Sequence, residues 1–157
     1  VAYDGYRPQK AVDDFVNWGN NSSDQTTKKL YYPTINKANV FELGYVAKKS
    51  GHSRGSTIDV SLIKLNHNIN PVKLSEKTLL NGEVIPFLDD GSVDMGSSFD
   101  LFHQVSHHDS KLIDKKATKM RNFLRKIMKE SGFKEYQEEW WHYTLENEPF
   151  PDTYFDF

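Results

Sequence analysis

The sequence runs to 157 residues, with 20 basic and 22 acidic side chains, a net charge of −2 and no cysteine. That length fits one domain with a real core, drawn from 37% hydrophobic residues, and no apolar run is long enough to span a bilayer as a helix. No basic block marks nucleic acid as a main partner, and the lack of cysteine excludes disulfides and thiolate zinc sites while leaving the compartment open.

Val1-Ala2-Tyr3-Asp4-Gly5-Tyr6 alternates loosely and predicts a short strand. It reads as the middle of a protein rather than a frayed end, so further residues upstream of Val1 are expected. Arg7-Pro8 ends the strand, and Pro8 suits a helix start because its missing N–H is no loss there. Ala11, Val12, Phe15 and Val16 then predict a helix over 9–18, stopped by Gly19-Asn20-Asn21-Ser22-Ser23. Residues 20–43 read as an irregular excursion. Two strands are expected at Tyr45-Val46-Ala47 and over Thr57–Ile63, flanking the turn-rich Ser50–Ser56. Residues 64–94 carry an Asn-rich stretch, a strand at Val84–Phe87 and the turn Asp89-Asp90-Gly91-Ser92, and predict a hairpin-like surface insertion. Ala117, Met120, Phe123, Leu124, Ile127 and Met128 fall at helical spacing and predict a helix over 114–131, with Gly132 as its stop. A last strand is expected over Glu139–Leu145, before Pro149, Pro151 and an aromatic tail. The order of elements predicts one α+β domain over 1–157, a mainly antiparallel sheet packed against helices.

Three residues stand out as candidate metal ligands. His52 and Asp59 are seven apart, which on one regular strand would point them to opposite faces, but Gly55 permits a turn that brings them together. His142 on a neighbouring strand completes a set of two imidazoles and a carboxylate, which suits Zn²⁺ and leaves a position for water. Glu139, three residues before His142, is placed to take a proton from that water. Each residue also has an ordinary reading on its own. His52 can be a core or surface histidine, Asp59 a strand end, Glu138-Glu139 a solvated acidic pair and Trp140-Trp141 a piece of core. Arg7 reads equally as a surface arginine at a helix start, and Asp100 as the polar face of an alternating strand.

The segment Ser50-Gly51-His52-Ser53-Arg54-Gly55-Ser56-Thr57-Ile58-Asp59 resembles the S-x-H-x-x-G-x-A-x-D signature of the Hedgehog/D,D-peptidase superfamily. Glu139-Trp140-Trp141-His142 resembles its E-x-W-H motif, and Asp4-Gly5-Tyr6-Arg7-Pro8 a third, in the same order. The likeness extends toward the D-alanyl-D-alanine dipeptidases of vancomycin-resistance clusters through Tyr31-Tyr32-Pro33, Gly44–Ala47, Met95-Gly96, Phe99-Asp100, Ser106-His107-His108 and Tyr154–Phe157.

That resemblance implies a zinc-dependent hydrolase of small D,D-dipeptides, Hedgehog/D,D-peptidase-like in fold, with one Zn²⁺ per chain. It implies His52, Asp59 and His142 as ligands, Glu139 as general base, and Arg7 as support for the developing oxyanion. It further implies Asp100 as partner of the substrate ammonium and Ser50 as a contact of its carboxylate. A pocket closed at both ends in this way would select dipeptides, because a longer chain would leave a buried charge unpaired. The nearest rival activity is a D,D- or L,D-carboxypeptidase on longer cell-wall peptides; the rival from another class is a non-catalytic zinc-binding interaction domain. The resemblance implies a cytoplasmic location, with a periplasmic or secreted one open, and roles in resistance, wall recycling or nutrient salvage; oligomeric state is not read from it.

The departures are specific. Thr57 stands in place of the signature's alanine, Gly51 in place of a second serine, and 64–94 is longer than the corresponding loop. Family members also carry several dozen residues ahead of the Asp-Gly-Tyr-Arg-Pro stretch, including a tyrosine that helps bind the ammonium. His107-His108 are expected to be structural or supporting groups, since adjacent side chains diverge. His67, His103 and Asp89-Asp90 are expected at the surface, and Trp140-Trp141 to wall the metal site on one side and fill the core on the other.

Overall fold

The computed structural model describes all residues from Val1 to Phe157. Its central sheet is built around Glu139–Leu145, which is buried over most of its length and contributes Trp140, Trp141 and Tyr143 to the core. This strand, β6, lies between β2 (Thr57–Val60) and β5 (Phe133–Tyr136), and β1 (Ala2–Asp4) pairs with the outer side of β2. The order is β1-β2-β6-β5, and every pairing is antiparallel. A separate two-stranded ribbon, β3 (Lys73–Thr78) with β4 (Val84–Asp89), forms the predicted hairpin insertion. The α+β expectation therefore holds.

Helix α1 spans Gln9–Asn20, two residues beyond its predicted end, and the short α2 spans Lys28–Tyr31. Helix α3 covers Lys115–Glu130, starting where Asp114 accepts the Ala117 N–H at 2.8 Å and ending before Gly132 at φ +83. Its buried stripe is Ala117, Arg121 and Leu124, with Met120 and Met128 at the margin of the core. Phe123 and Ile127 lie off that stripe and are exposed, contrary to the sequence pattern. Arg121 takes the place they were expected to fill. Its guanidinium is fully buried and donates to the carbonyls of Met95 (2.6 Å) and His107 (2.7 Å) and to Ser97 Oγ (3.3 Å). Burial pushes its pKa down to about 9, so it stays charged at neutral pH.

The main core sets Trp140, Trp141 and Tyr143 of β6 against Met95 and Leu124. A second cluster joins Leu79 and Ile85 of the ribbon to Leu101, Val105, Ile113 and Ala117. A third packs Tyr32, Val40, Val46 and Phe102. The third corrects an expectation: Tyr45–Ala47 is not a strand. The N–H groups of Tyr45 and Val46 both turn back to the Val40 carbonyl, after Gly44 at φ +82. The apolar run there serves packing rather than sheet pairing.

His108 is also core, as expected of a structural group, and its ring meets Tyr143 edge-on at 5.7 Å. Burial, reinforced by Arg125 and Arg121, pushes its pKa from 6.5 down to about 3. Stability is therefore complete above pH 6.5 and drains as pH falls toward 3, because the unfolded chain takes up a proton that the folded one refuses. At pH 5 the loss is roughly 2 kcal/mol. Replacing His108 with Phe, which keeps an aromatic ring there, should narrow the drop in melting temperature between pH 7.5 and pH 5 by about 4–8 °C. An equal drop in both proteins would remove His108 from the acid response.

Candidate active site

His52 does not come from a strand. Gly51–Arg54 form a single 3-10 turn capped by Ser50, whose Oγ accepts the His52 N–H at 3.2 Å. Gly55, at φ +70, then swings the chain into β2. That left-handed step is the turn the His52–Asp59 spacing required. Arg54 anchors the turn from outside through a two-point ion pair with Glu148, at 2.6 and 2.9 Å.

Asp59 lies on β2 directly across from His142 on β6. His52 Nε2 is 3.4 Å and His142 Nδ1 3.1 Å from the same oxygen, Asp59 Oδ1, and the three ligand atoms fall within 4.8 Å of one another. Asp59 Oδ1 is buried with no hydrogen-bond partner. His52 Nδ1 sits 2.7 Å from the Gly5 carbonyl, so it carries the proton and Nε2 presents its lone pair to the cluster. This orphaned oxygen, the fixed tautomer and the donor set of two imidazoles and one carboxylate fit a zinc-type cation. Burial alone would raise the Asp59 pKa, but the two histidines outweigh it and hold it at about 2.

Glu139 joins the cluster from the first position of β6, with Oε2 3.4 Å from His142 Nδ1. Its carboxyl is buried, and burial together with the nearby Asp100 and Asp59 raises its pKa well above the ordinary value, against the pull of Arg7. Asp100 is reached by a loop rather than by a strand and adopts φ +58, a left-handed conformation that Asp tolerates better than most residues. Burial first, then repulsion from Asp59, moves its pKa up to about 7, while Arg7 opposes the shift.

Arg7 arrives because the segment before α1 docks on the His52 turn: the Arg7 N–H meets the His52 carbonyl at 3.4 Å. Its Nε and Nη2 both donate to Asp4 Oδ2, at 2.9 and 2.5 Å, and its guanidinium lies 5.0 Å above the Phe15 ring. The fork is thus held on one edge, with Nη1 left to act. His52, Asp59, His142, Glu139, Arg7, Asp100 and Ser50 all line one pocket of about 230 Å³. The structure brings together every residue singled out for chemistry.

The walls differ from expectation. Trp140 and Trp141 are buried in the core and do not line this pocket. Tyr45, Phe102 and Tyr136 form its aromatic walls instead, and Lys49 joins its rim. Tyr136 stands across from Glu139 at the β5–β6 turn, packs 5.4 Å from the His142 ring and donates to the Gly44 carbonyl at 3.0 Å. Tyr45 stacks on Phe102 and hydrogen-bonds His107 Nε2 at 3.2 Å, which gives His107 its supporting role. Burial, together with the charges of Glu138 and Glu139, pushes both tyrosines up to about 12, so they remain neutral hydroxyls. The missed signal was the hairpin: a strand at 133–136 places Tyr136 beside Glu139 once the Gln137-Glu138 turn is recognised. His103 is likewise buried rather than at the surface, and Asp90 accepts the Tyr3 hydroxyl at 2.6 Å.

The departures at Gly51 and Thr57 prove to be one. A Cβ at Gly51 would come within 2.2 Å of Thr57 Oγ1, which is itself held by Thr144 Oγ1 at 2.8 Å. The threonine hydroxyl fills the space that a side chain at position 51 would need.

Comparison with known proteins identifies the family. The profile of the family described as D-ala-D-ala dipeptidase, Peptidase_M15, matches residues 1–75 and 85–157. A D-alanyl-D-alanine dipeptidase of Enterococcus faecalis is 45% identical over 157 residues, covering all of this chain and 67% of the relative. One from Streptomyces coelicolor is 43% identical over the same extent, and one from Escherichia coli is 28% identical over 145 residues, 92% of this chain and 54% of the relative. With both halves of the chain matched and relatives this similar along its whole length, the chain belongs to the D-ala-D-ala dipeptidase family, Peptidase_M15, a family of metal-dependent peptidases.

Proposed function

We propose that residues 1–157 form the catalytic domain of a zinc-dependent D,D-dipeptidase acting on D-alanyl-D-alanine-type substrates. The observation that carries this reading is the His52–Asp59–His142 cluster in one pocket with two carboxyls of raised pKa, in a chain of this family. His52 Nε2, Asp59 Oδ1 and His142 Nδ1 would hold the ion. When bound, it supplies a Lewis acid for the scissile carbonyl and a water that ionises near neutral pH.

The chain's own groups do the rest. Glu139 takes the proton of the attacking water and returns it to the leaving amine. Arg7 Nη1 donates to the oxygen on which negative charge develops, a task suited to a guanidinium that never loses its charge. Asp100 meets the free ammonium and Ser50 Oγ the terminal carboxylate, so both ends of a dipeptide are recognised. Tyr45, Phe102 and Tyr136 shield the polar cluster from bulk water and strengthen its electrostatics.

Zinc analysis with a D-Ala-D-Ala assay, before and after chelation, tests the reading. We expect about one zinc per chain, loss of turnover on chelation, and recovery on adding zinc back. Preference for a longer wall peptide over D-Ala-D-Ala would convert the assignment to a carboxypeptidase. Zinc without hydrolysis of either would make this a binding domain.

A further inference from the structure

The family profile skips residues 76–84, which form the tip of the β3–β4 ribbon. Glu83 lies within that break, yet it reaches back into the part of the fold that the profile matches. Its Oε1 is 3.1 Å from His103 Nε2, and His103 is buried. His103 Nδ1 accepts the Val105 N–H at 3.0 Å, so the proton must sit on Nε2, and the Glu83 carboxylate is its acceptor. That contact caps the 3-10 turn Gln104–Ser106. Ser106 Oγ in turn donates to the Leu101 carbonyl at 2.6 Å, one residue beyond Asp100. The ribbon also supplies Leu79 and Ile85 to the cluster that packs Leu101 and Val105, and the Leu79 N–H closes on the Glu83 carbonyl at 2.8 Å.

We infer that Glu83 and His103 are positioning residues for Asp100: the ribbon braces the 101–106 segment and thereby sets the affinity for the substrate's free ammonium. This rests on the proposed role of Asp100. A residue in left-handed backbone stays there only where its surroundings hold it. Removing Glu83 leaves a buried Nε2–H without an acceptor. The imidazole then turns toward water, Val105 loses its cap, and the brace behind Leu101 slackens. The carboxylate drifts, while the ligands and Glu139, which sit on β2, β6 and the His52 turn, do not.

The test uses the zinc-loaded full chain and steady-state kinetics on D-Ala-D-Ala. Glu83→Ala should raise KM about three- to tenfold with kcat within about twofold. Glu83→Gln, whose amide oxygen still accepts from Nε2–H, should stay within about twofold of the parent in both. N-acetyl-D-alanine, which has no ammonium, should inhibit the parent and Glu83→Ala equally. Independently of turnover, the imidazole ¹⁵N spectrum of His103 should show the Nε2–H tautomer in the parent and lose it in Glu83→Ala. If that variant does not fold, Glu83→Asp, one methylene short, should raise KM in the same direction. An unchanged KM, or a parallel weakening of N-acetyl-D-alanine, overturns the inference. A parent that leaves D-Ala-D-Ala intact overturns the dipeptidase reading itself, and is seen before any variant is compared.

Discussion

Glu139→Gln should lower kcat on D-Ala-D-Ala by about 10²- to 10⁴-fold while zinc content and KM stay within about twofold of the parent. The amide fills the same volume at the start of β6 and leaves His52, Asp59 and His142 untouched, so fold and metal are expected to survive. What it cannot do is hold a proton between the arrival of water and the departure of the amine. Burial and the neighbouring carboxyls shift Glu139 toward its protonated form. The base works only when ionised, so turnover of the parent should fall as pH drops through that raised pKa; positive charge from a bound metal draws it back toward ionisation. Rates across pH with metal content measured on the same samples check this. A Gln variant that keeps its turnover would take Glu139 out of the mechanism.

The second large effect is expected at Asp100. Asparagine also tolerates φ +58, so Asp100→Asn changes charge without forcing the backbone. Its carboxyl is held at about 7, balanced between burial with Asp59 repulsion on one side and Arg7 on the other. An arriving ammonium tips that balance toward the carboxylate. Losing a charge-assisted contact in such a place costs about 2–3 kcal/mol, read as a rise of roughly 30- to 150-fold in KM with a much smaller change in kcat. The same substitution should leave an N-acylated analogue unaffected. Equal losses for both ligands would show that Asp100 shapes the pocket rather than recognising the amine.

Much of this site was legible in the residues because its parts lie on elements with strong local signals. Helix α3 matched its apolar spacing to within one residue at each end, and β6 matched over its full length, which fixed Glu139 and His142 three residues apart on one strand. Gly55 announced the turn that reconciles His52 with Asp59. The elements that escaped notice lack such signals. Strand β3 is almost wholly exposed and polar, held by its pairing with β4 rather than by burial, so no alternation marks it. Tyr45-Val46-Ala47 carries strand-forming residues, but a left-handed glycine bends the segment before any partner strand can pair with it. For Trp140 and Trp141 the core half of the expectation holds and the wall half does not: their neighbour His142 lines the pocket while both indoles fill the core. Arg121 could not be foreseen as buried, because its acceptors are carbonyls 14 and 26 residues away rather than a carboxylate in the sequence nearby.

The aromatic tail acts as a buckle on the far side of the His52 turn. The Phe155 N–H donates to the Ser53 carbonyl and its own carbonyl receives the Gln9 N–H, at 2.8 and 2.9 Å, while Asp156 accepts from the Lys10 N–H and Phe157 stacks on Tyr6. One strap thus cinches two parts of the chain that each touch the candidate metal-binding cluster, the His52 turn directly and Gly5 through its carbonyl. Loosening residues 155–157, for instance by Phe155→Ala, would be transmitted to His52 and to Gly5 as lost tension, so a change in this peripheral strap becomes a change in how firmly the His52–Asp59–His142 cluster is held.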